Sequence, residues 1–263
     1  MEEKFDGLDS KEICKKLKVE ESIVLNIYLV GSSLTGTKRE ESDYDFIMVL
    51  DDQAEFESEG HLEYKKQQEE TNKEMKIDAS CYKKTEFIEL IKQNEITVLF
   101  TLFVPPQFII KENFDFKEFF LLDKLKLRKS ISTVSSKAAQ YAKILFLKEK
   151  DLIKSKKNII HSIRFLQFGF QIIEFGKISD FHCSNQYFDQ IMNDTSVEWQ
   201  NYKETYLKSI SKKLSREFQK LIPDLVSSKN EKRNKNRKMK REMKKLEKLK
   251  NGNKNKNENK NEN

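Results

Sequence analysis

The sequence predicts an α+β protein in two lobes with a basic tail, and three observations predict it. Residues 23–82 hold three short apolar runs rich in β-branched and aromatic residues, the signature of strands. Beyond Pro105-Pro106 the apolar residues recur every three or four positions, the period of helices. From Lys229 onward the chain is dominated by Lys, Asn, Arg and Glu and holds too few apolar residues to bury a core. The predicted divisions are 20–110, 111–226 and 229–263.

The elements follow in order. Ser10–Leu17 reads as a short helix capped by Asp9 or Ser10. Ile23–Val30 is the first strand, Tyr44–Leu50 the second and Lys73–Tyr82 the third. Asp51–Thr71 is polar and of mixed charge, so it reads as a loop or exposed helix. Thr85 is placed to cap a helix over Glu86–Lys92, and Pro105-Pro106 marks a turn closing the first lobe. In the second lobe, helices are predicted over Asp123–Lys148, Ile153–Gly176 and Ser196–Leu221. The last carries Trp199, Tyr202, Tyr206, Ile210, Leu214, Phe218 and Leu221 three or four apart, a stripe read as core in preference to a base-stacking platform.

The chemistry concentrates in Val30-Gly31-Ser32-Ser33 and Ser42-Asp43-Tyr44-Asp45. Gly31 ends the first strand and permits a sharp turn. Turn N–H groups and the Ser32 and Ser33 hydroxyls are donors suited to a nucleotide phosphate. Asp43 and Asp45 lie two apart, hence on one face of a strand, about 7 Å apart at Cα. Paired carboxylates suit Mg²⁺ or Mn²⁺, which prefer oxygen ligands. Asp78, in Met75-Lys76-Ile77-Asp78-Ala79-Ser80-Cys81, alternates with apolar neighbours and supplies a third acid of the kind two-metal phosphoryl transfer uses. In the second lobe His161 and Arg164 lie three apart on one helix face, with Lys157 a turn earlier, a set of phosphate-binding candidates. The competing readings are a solvated acid for Asp78 and a half-buried polar pair for His161 and Arg164. His61 and His182 receive no role.

With those residues in place, the chain resembles the DNA polymerase beta-like nucleotidyltransferase superfamily. Val30-Gly31-Ser32-Ser33-Leu34-Thr35-Gly36-Thr37 with Glu41-Ser42-Asp43-Tyr44-Asp45 is similar to a group of predicted nucleotidyltransferases of bacteria, phages and some eukaryotes, which carry Gly-Ser-x-x-x-Gly-Thr and Ser-Asp-x-Asp runs. The likeness extends over roughly residues 23–180 and includes a His-x-x-Arg pair at His161 and Arg164. It departs at Ile96-Thr97-Val98-Leu99-Phe100, where Thr97 stands in place of an acid. The resemblance implies a small mixed-sheet nucleotidyltransferase lobe followed by a helical lobe and a disordered basic tail. It further implies transfer of a nucleoside monophosphate from an NTP to a hydroxyl, with an RNA 3′ end as the first acceptor considered. Asp43, Asp45 and Asp78 are then the metal and catalytic residues, and Gly31, Ser32, Ser33, Lys157, His161 and Arg164 bind the nucleotide. The alternatives are a protein hydroxyl (AMPylation) or a small molecule as acceptor, and an inactive RNA-binding or scaffold protein on the same fold; Thr97 and the tail favour the last.

Charge divides unevenly. Lys229–Asn263 holds 15 Lys or Arg against 5 Asp or Glu, a net of +10 within a chain of +7, so residues 1–228 sum to about −3. The basic character is therefore the tail's, where electrostatic attraction to RNA or a nuclear import signal is the functional reading. Within it Met239, Met243, Leu246 and Leu249 give a thin seam of coiled-coil type along a predicted exposed helix, Lys229–Lys250, and Asn251–Asn263 is read as disordered. Cys14, Cys81 and Cys183 form no CxxC pair and are read as free thiols. The N-terminus shows no apolar core of a signal peptide, and no run approaches the ~18 apolar residues of a membrane span, so a cytoplasmic or nuclear location without membrane partners is expected.

Overall fold

Five strands form one mixed sheet in the order β3-β4-β2-β1-β5 in the computed structural model, which describes residues 9–39, 42–54, 60–67 and 74–222. The chain opens with α1 (Ser10–Leu17), whose N-cap Asp9 accepts the Glu12 N–H at 2.8 Å. It continues through β1 (Val24–Leu29), a single turn α2 (Gly31–Leu34), β2 (Tyr44–Leu50), β3 (Gly60–Gln67) and β4 (Glu74–Lys83). Helices α3 (Lys84–Lys92) and α4 (Ile96–Leu99) follow, then β5 (Ile109–Glu112). Helices α5 (Lys124–Ile144), α6 (Leu152–Phe175), α7 (Asn185–Asn193), α8 (Trp199–Tyr202) and α9 (Lys212–Lys220) complete the described chain. The fold is α+β with a helical C-terminal part, as the sequence predicts. Residues Met1–Phe218 fall in one compact unit. The tail, with its predicted helix and low-complexity end, lies outside the described residues.

The three predicted strands are the sheet's centre. β1 runs antiparallel to β2, and β2 parallel to β4, with Asp45 directly opposite Asp78. Their apolar side chains, with Ile13, Cys14 and Leu17 of α1, form one core cluster. Ile27, Leu29, Met48 and Leu50 are fully buried, each worth about 1.5–3 kcal/mol by area removed from water. Two strands depart from the sequence reading. Gly60–Gln67, predicted as loop or exposed helix, pairs antiparallel with β4 at the sheet edge. A polar sequence hides such a strand, because an edge needs no continuous apolar run. Ile109–Glu112, just past the predicted lobe-closing turn, pairs with β1 as the opposite edge. Thr85 does not cap its helix: its backbone N–H and hydroxyl both donate to the Asp52 carboxylate, and α3 begins at Lys84 without a side-chain cap.

In the helical part α5 and α6 pack closely as an antiparallel pair. Gly169 permits the approach, since a Cβ there would lie 2.2 Å from Ile131 Cδ1 and 2.8 Å from Phe218 Cε2. Leu145–Glu149 ends the first helix as a wide π turn, and Asp151 caps α6 through the Lys154 N–H at 2.9 Å. The aromatic stripe is core: Trp199, Tyr202, Tyr206 and Phe218 are buried, the first three in a cluster with Phe146, Ile159 and Ile163. Among the described residues, no helix is long and apolar enough to cross a membrane.

Candidate active site

The junction of β1 and β2 builds one wall of the site. The Val30 N–H donates to the Asp45 carbonyl at 2.8 Å, which brings the Gly31 turn against the start of β2. Gly31 has φ +61°, and a Cβ on it would lie 1.8 Å from Asp45 Oδ2. Only glycine supplies both the left-handed backbone and the room for that carboxylate. The Ser32 N–H donates to the same carboxylate, so it is engaged with Asp45 in this structure.

Asp45 is electrostatically loaded. Burial, then the neighbouring Asp78 and Asp43 charges, push its pKa up to about 6, with Lys157 and the Ser32 N–H opposing. Facing it, α6 presents Lys157, His161 and Arg164 in successive turns. Arg164 is 5% exposed, and its Nε has no hydrogen-bond partner among the described residues. Burial lowers its pKa to about 10, which leaves it charged at neutral pH. Burial, with Arg164 and Lys157 beside it, drives the His161 pKa down to about 3, so its imidazole is neutral and offers one N–H.

Between the two walls lies a cavity of about 320 Å³. Gly31, Ser32, Asp43 and Asp45 line it from the sheet side, and Lys157, His161 and Arg164 from α6. Seven of the nine residues singled out in the sequence thus meet at one cavity, although Asp45 and Lys157 are far apart in the chain. Ser33 does not line it; its hydroxyl is buried with no hydrogen-bond partner among the described residues. Asp78 does not line it either, but stands beside Asp45 on the next strand. Among the described residues, no three of His, Cys, Asp or Glu sit close enough together to hold a metal ion as a complete cage. Mg²⁺ is commonly held by one or two carboxylates together with substrate phosphates, a donor set that Asp43 and Asp45 fit. The like-charge pressure on Asp45 is also what a cation relieves.

The cavity has further lining residues that carried no role in the sequence. Thr37 and Ser42 belong to the same Gly-Thr and Ser-Asp runs, so proximity to the motif was a signal. Ile160 and Phe188 arrive through the packing of α6 and α7, and no local pattern marks them. Thr97, the departure noted in the sequence, is exposed on α4 and lines no part of the cavity.

A family model for the nucleotidyltransferase domain matches residues 10–159. That span is more than half of the 263 residues and includes both carboxylates and the Gly-Ser turn; the chain belongs to the nucleotidyltransferase domain family. It is an enzyme of the class that transfers a nucleoside monophosphate from a nucleoside triphosphate. Among solved structures the chain is similar to spectinomycin adenyltransferase AAD(9) from Enterococcus faecialis, determined with ATP and spectinomycin. The identity is 15% and the TM-score 0.42, over 80% of this chain and 96% of that one. No curated protein matches the chain.

Proposed function

We propose that the chain moves a nucleoside monophosphate from an NTP to the 3′ hydroxyl of RNA in a Mg²⁺- or Mn²⁺-dependent reaction. One observation carries the reading: carboxylates of β2 and cations of α6, more than 100 residues apart in the chain, face each other across one cavity. Asp43 and Asp45 are the proposed metal ligands. A bound divalent ion would neutralise phosphate charge and acidify the acceptor hydroxyl.

The remaining roles belong to side chains. Lys157 and Arg164 hold the triphosphate, Arg164 with an Nε that has no hydrogen-bond partner among the described residues. Neutral His161 donates a hydrogen bond without adding charge. Gly31 and Ser32 form the phosphate-facing turn, with Ser33 behind it. The acceptor oxygen attacks the α-phosphorus, the bond to the bridging oxygen breaks, and pyrophosphate leaves. Asp78 takes the acceptor proton. We assign the sheet-bearing lobe to about 20–110, the helical lobe to 111–226 and the basic tail to 229–263. The tail's net charge of +10 is the support for an RNA acceptor.

The test is incorporation of each α-³²P-labelled NTP by purified chain with Mg²⁺ or Mn²⁺, offered total RNA or protein lysate. Label is expected in RNA, and lost in Asp43→Asn/Asp45→Asn with folding retained. Label in protein alone would replace RNA by a protein hydroxyl, and label unaffected by the double substitution would refute the site.

A further inference from the structure

The end of the α6–α7 connection and the first turn of α7 touch the residues just after the phosphate-facing turn at three places. The Asn185 amide NH₂ donates to the Thr35 carbonyl at 2.9 Å. The His182 ring stands over Gly36, where a Cβ would lie 3.0 Å from its Nε2. The Arg39 guanidinium lies 5.5 Å from the centre of the Phe188 ring. Gly36 has φ +65°, so the turn adopts a left-handed step where His182 approaches.

These contacts lead to the site through a short chain of bonds. The Thr35 hydroxyl donates to the Gly31 carbonyl at 3.0 Å, and the Thr35 N–H reaches the same oxygen at 3.2 Å. Gly31 in turn lies against the Asp45 carboxylate. The other end of the connection is tied to α6. The Gln171 side chain accepts the Asp180 N–H at 2.8 Å and donates to its carbonyl at 2.9 Å, and the Ser184 hydroxyl donates to Gln167. Gln167 and Gln171 continue along the helix that carries Lys157, His161 and Arg164. Only an amide NH₂ can face the Thr35 carbonyl, and that orientation leaves Asn185 Oδ1 buried with no hydrogen-bond partner among the described residues. The amide is thus held against Thr35 despite an unsatisfied acceptor.

We infer that His182–Phe188 is a latch that fixes the phosphate-facing turn relative to the cation row of α6, with Asn185 as its positioning residue. The inference rests on the phosphate reading of that turn. A triphosphate held at one end by Ser32 and at the other by Arg164 needs a set separation between them, and the latch supplies it from outside the cavity.

The test is calorimetric binding of the four α,β-methylene NTP analogues with Mg²⁺ to the full chain, wild type beside Asn185→Asp and His182→Ala. Asn185→Asp puts a carboxylate against the Thr35 carbonyl. Its Kd is expected to rise about five- to tenfold, the effect of losing one hydrogen bond, with stoichiometry still near one. His182→Ala, at an exposed residue, is expected to raise Kd about threefold, the lesser effect of one lost packing contact. A purely structural role for Asn185 would lower stoichiometry and leave Kd unchanged, which overturns the latch. Should Asn185→Asp fail to fold, His182→Ala decides alone, and an unchanged Kd there overturns it. A wild-type chain that binds no analogue refutes the phosphate reading itself, a different failure from equal binding by all three proteins.

Discussion

Asp45 is a carboxylate kept in a place that resists its charge. Its folded pKa of about 6 stands above the ordinary 3.8, because burial and the neighbouring Asp78 and Asp43 disfavour ionisation. A raised pKa means the folded state holds the proton more tightly than the unfolded one. The stabilisation is then complete below about pH 4 and lost as pH rises through 6. In metal-free protein, Asp45→Asn is therefore expected to be more stable than wild type at pH 7.5, by on the order of 3 kcal/mol, and nearly equal at pH 4. Urea denaturation in EDTA at the two pH values measures this, and equal stability at both would refute the electrostatic account. His161 has the opposite sign: its lowered pKa costs stability as pH falls from about 6.5 toward 3. These residues were legible in the sequence because their chemistry is local. Gly31-Ser32 and Asp43-x-Asp45 declare themselves by residue type and spacing alone. Phe188, Ile160 and Asn185 do not, since a lone aromatic, aliphatic or amide on a helix acquires meaning only from what packs opposite.

Secondary-structure elements show the same division between local and non-local signals. β1, β2 and β4 were legible because their faces are buried and the apolar residues say so. β3 escaped because strand pairing, not side-chain pattern, defines an edge. β5 escaped because four residues carry too little periodicity to read. The long helices were found to within a few residues at their ends, but the 3.6-residue period does not reveal that the last opens into a π stretch over Lys203–Ser211. Nor does it reveal how closely two helices cross. Gly169 should read as a helix weakness, with Ala better by about 1 kcal/mol on propensity. The structure reverses that sign, because Ile131 and Phe218 are fully buried where the methyl would go. Overpacking costs about 1–3 kcal/mol against that gain of about 1, so Gly169→Ala is expected to destabilise by up to about 2 kcal/mol net. A stabilised variant in urea unfolding would show that the α5–α6 crossing yields readily.

Considered whole, the molecule keeps its charges apart: about −3 in residues 1–228 and +10 in Lys229–Asn263. Removing 229–263 is expected to leave nucleotide-analogue affinity unchanged. RNA affinity should fall, along with the steep dependence on salt that many phosphate contacts produce. Binding measured between 50 and 200 mM salt separates the effects, and an unaltered salt slope would place the RNA contacts on the folded body. The site is divided along the chain as well. Asp45 precedes Lys157 by 112 residues. Made on a ribosome at about 5–20 residues per second, the chain completes its acidic wall roughly 6–22 s before its basic one. The nascent protein thus gains its attraction for hard cations early. Its capacity to grip a triphosphate arrives last, when α6 and α7 have emerged.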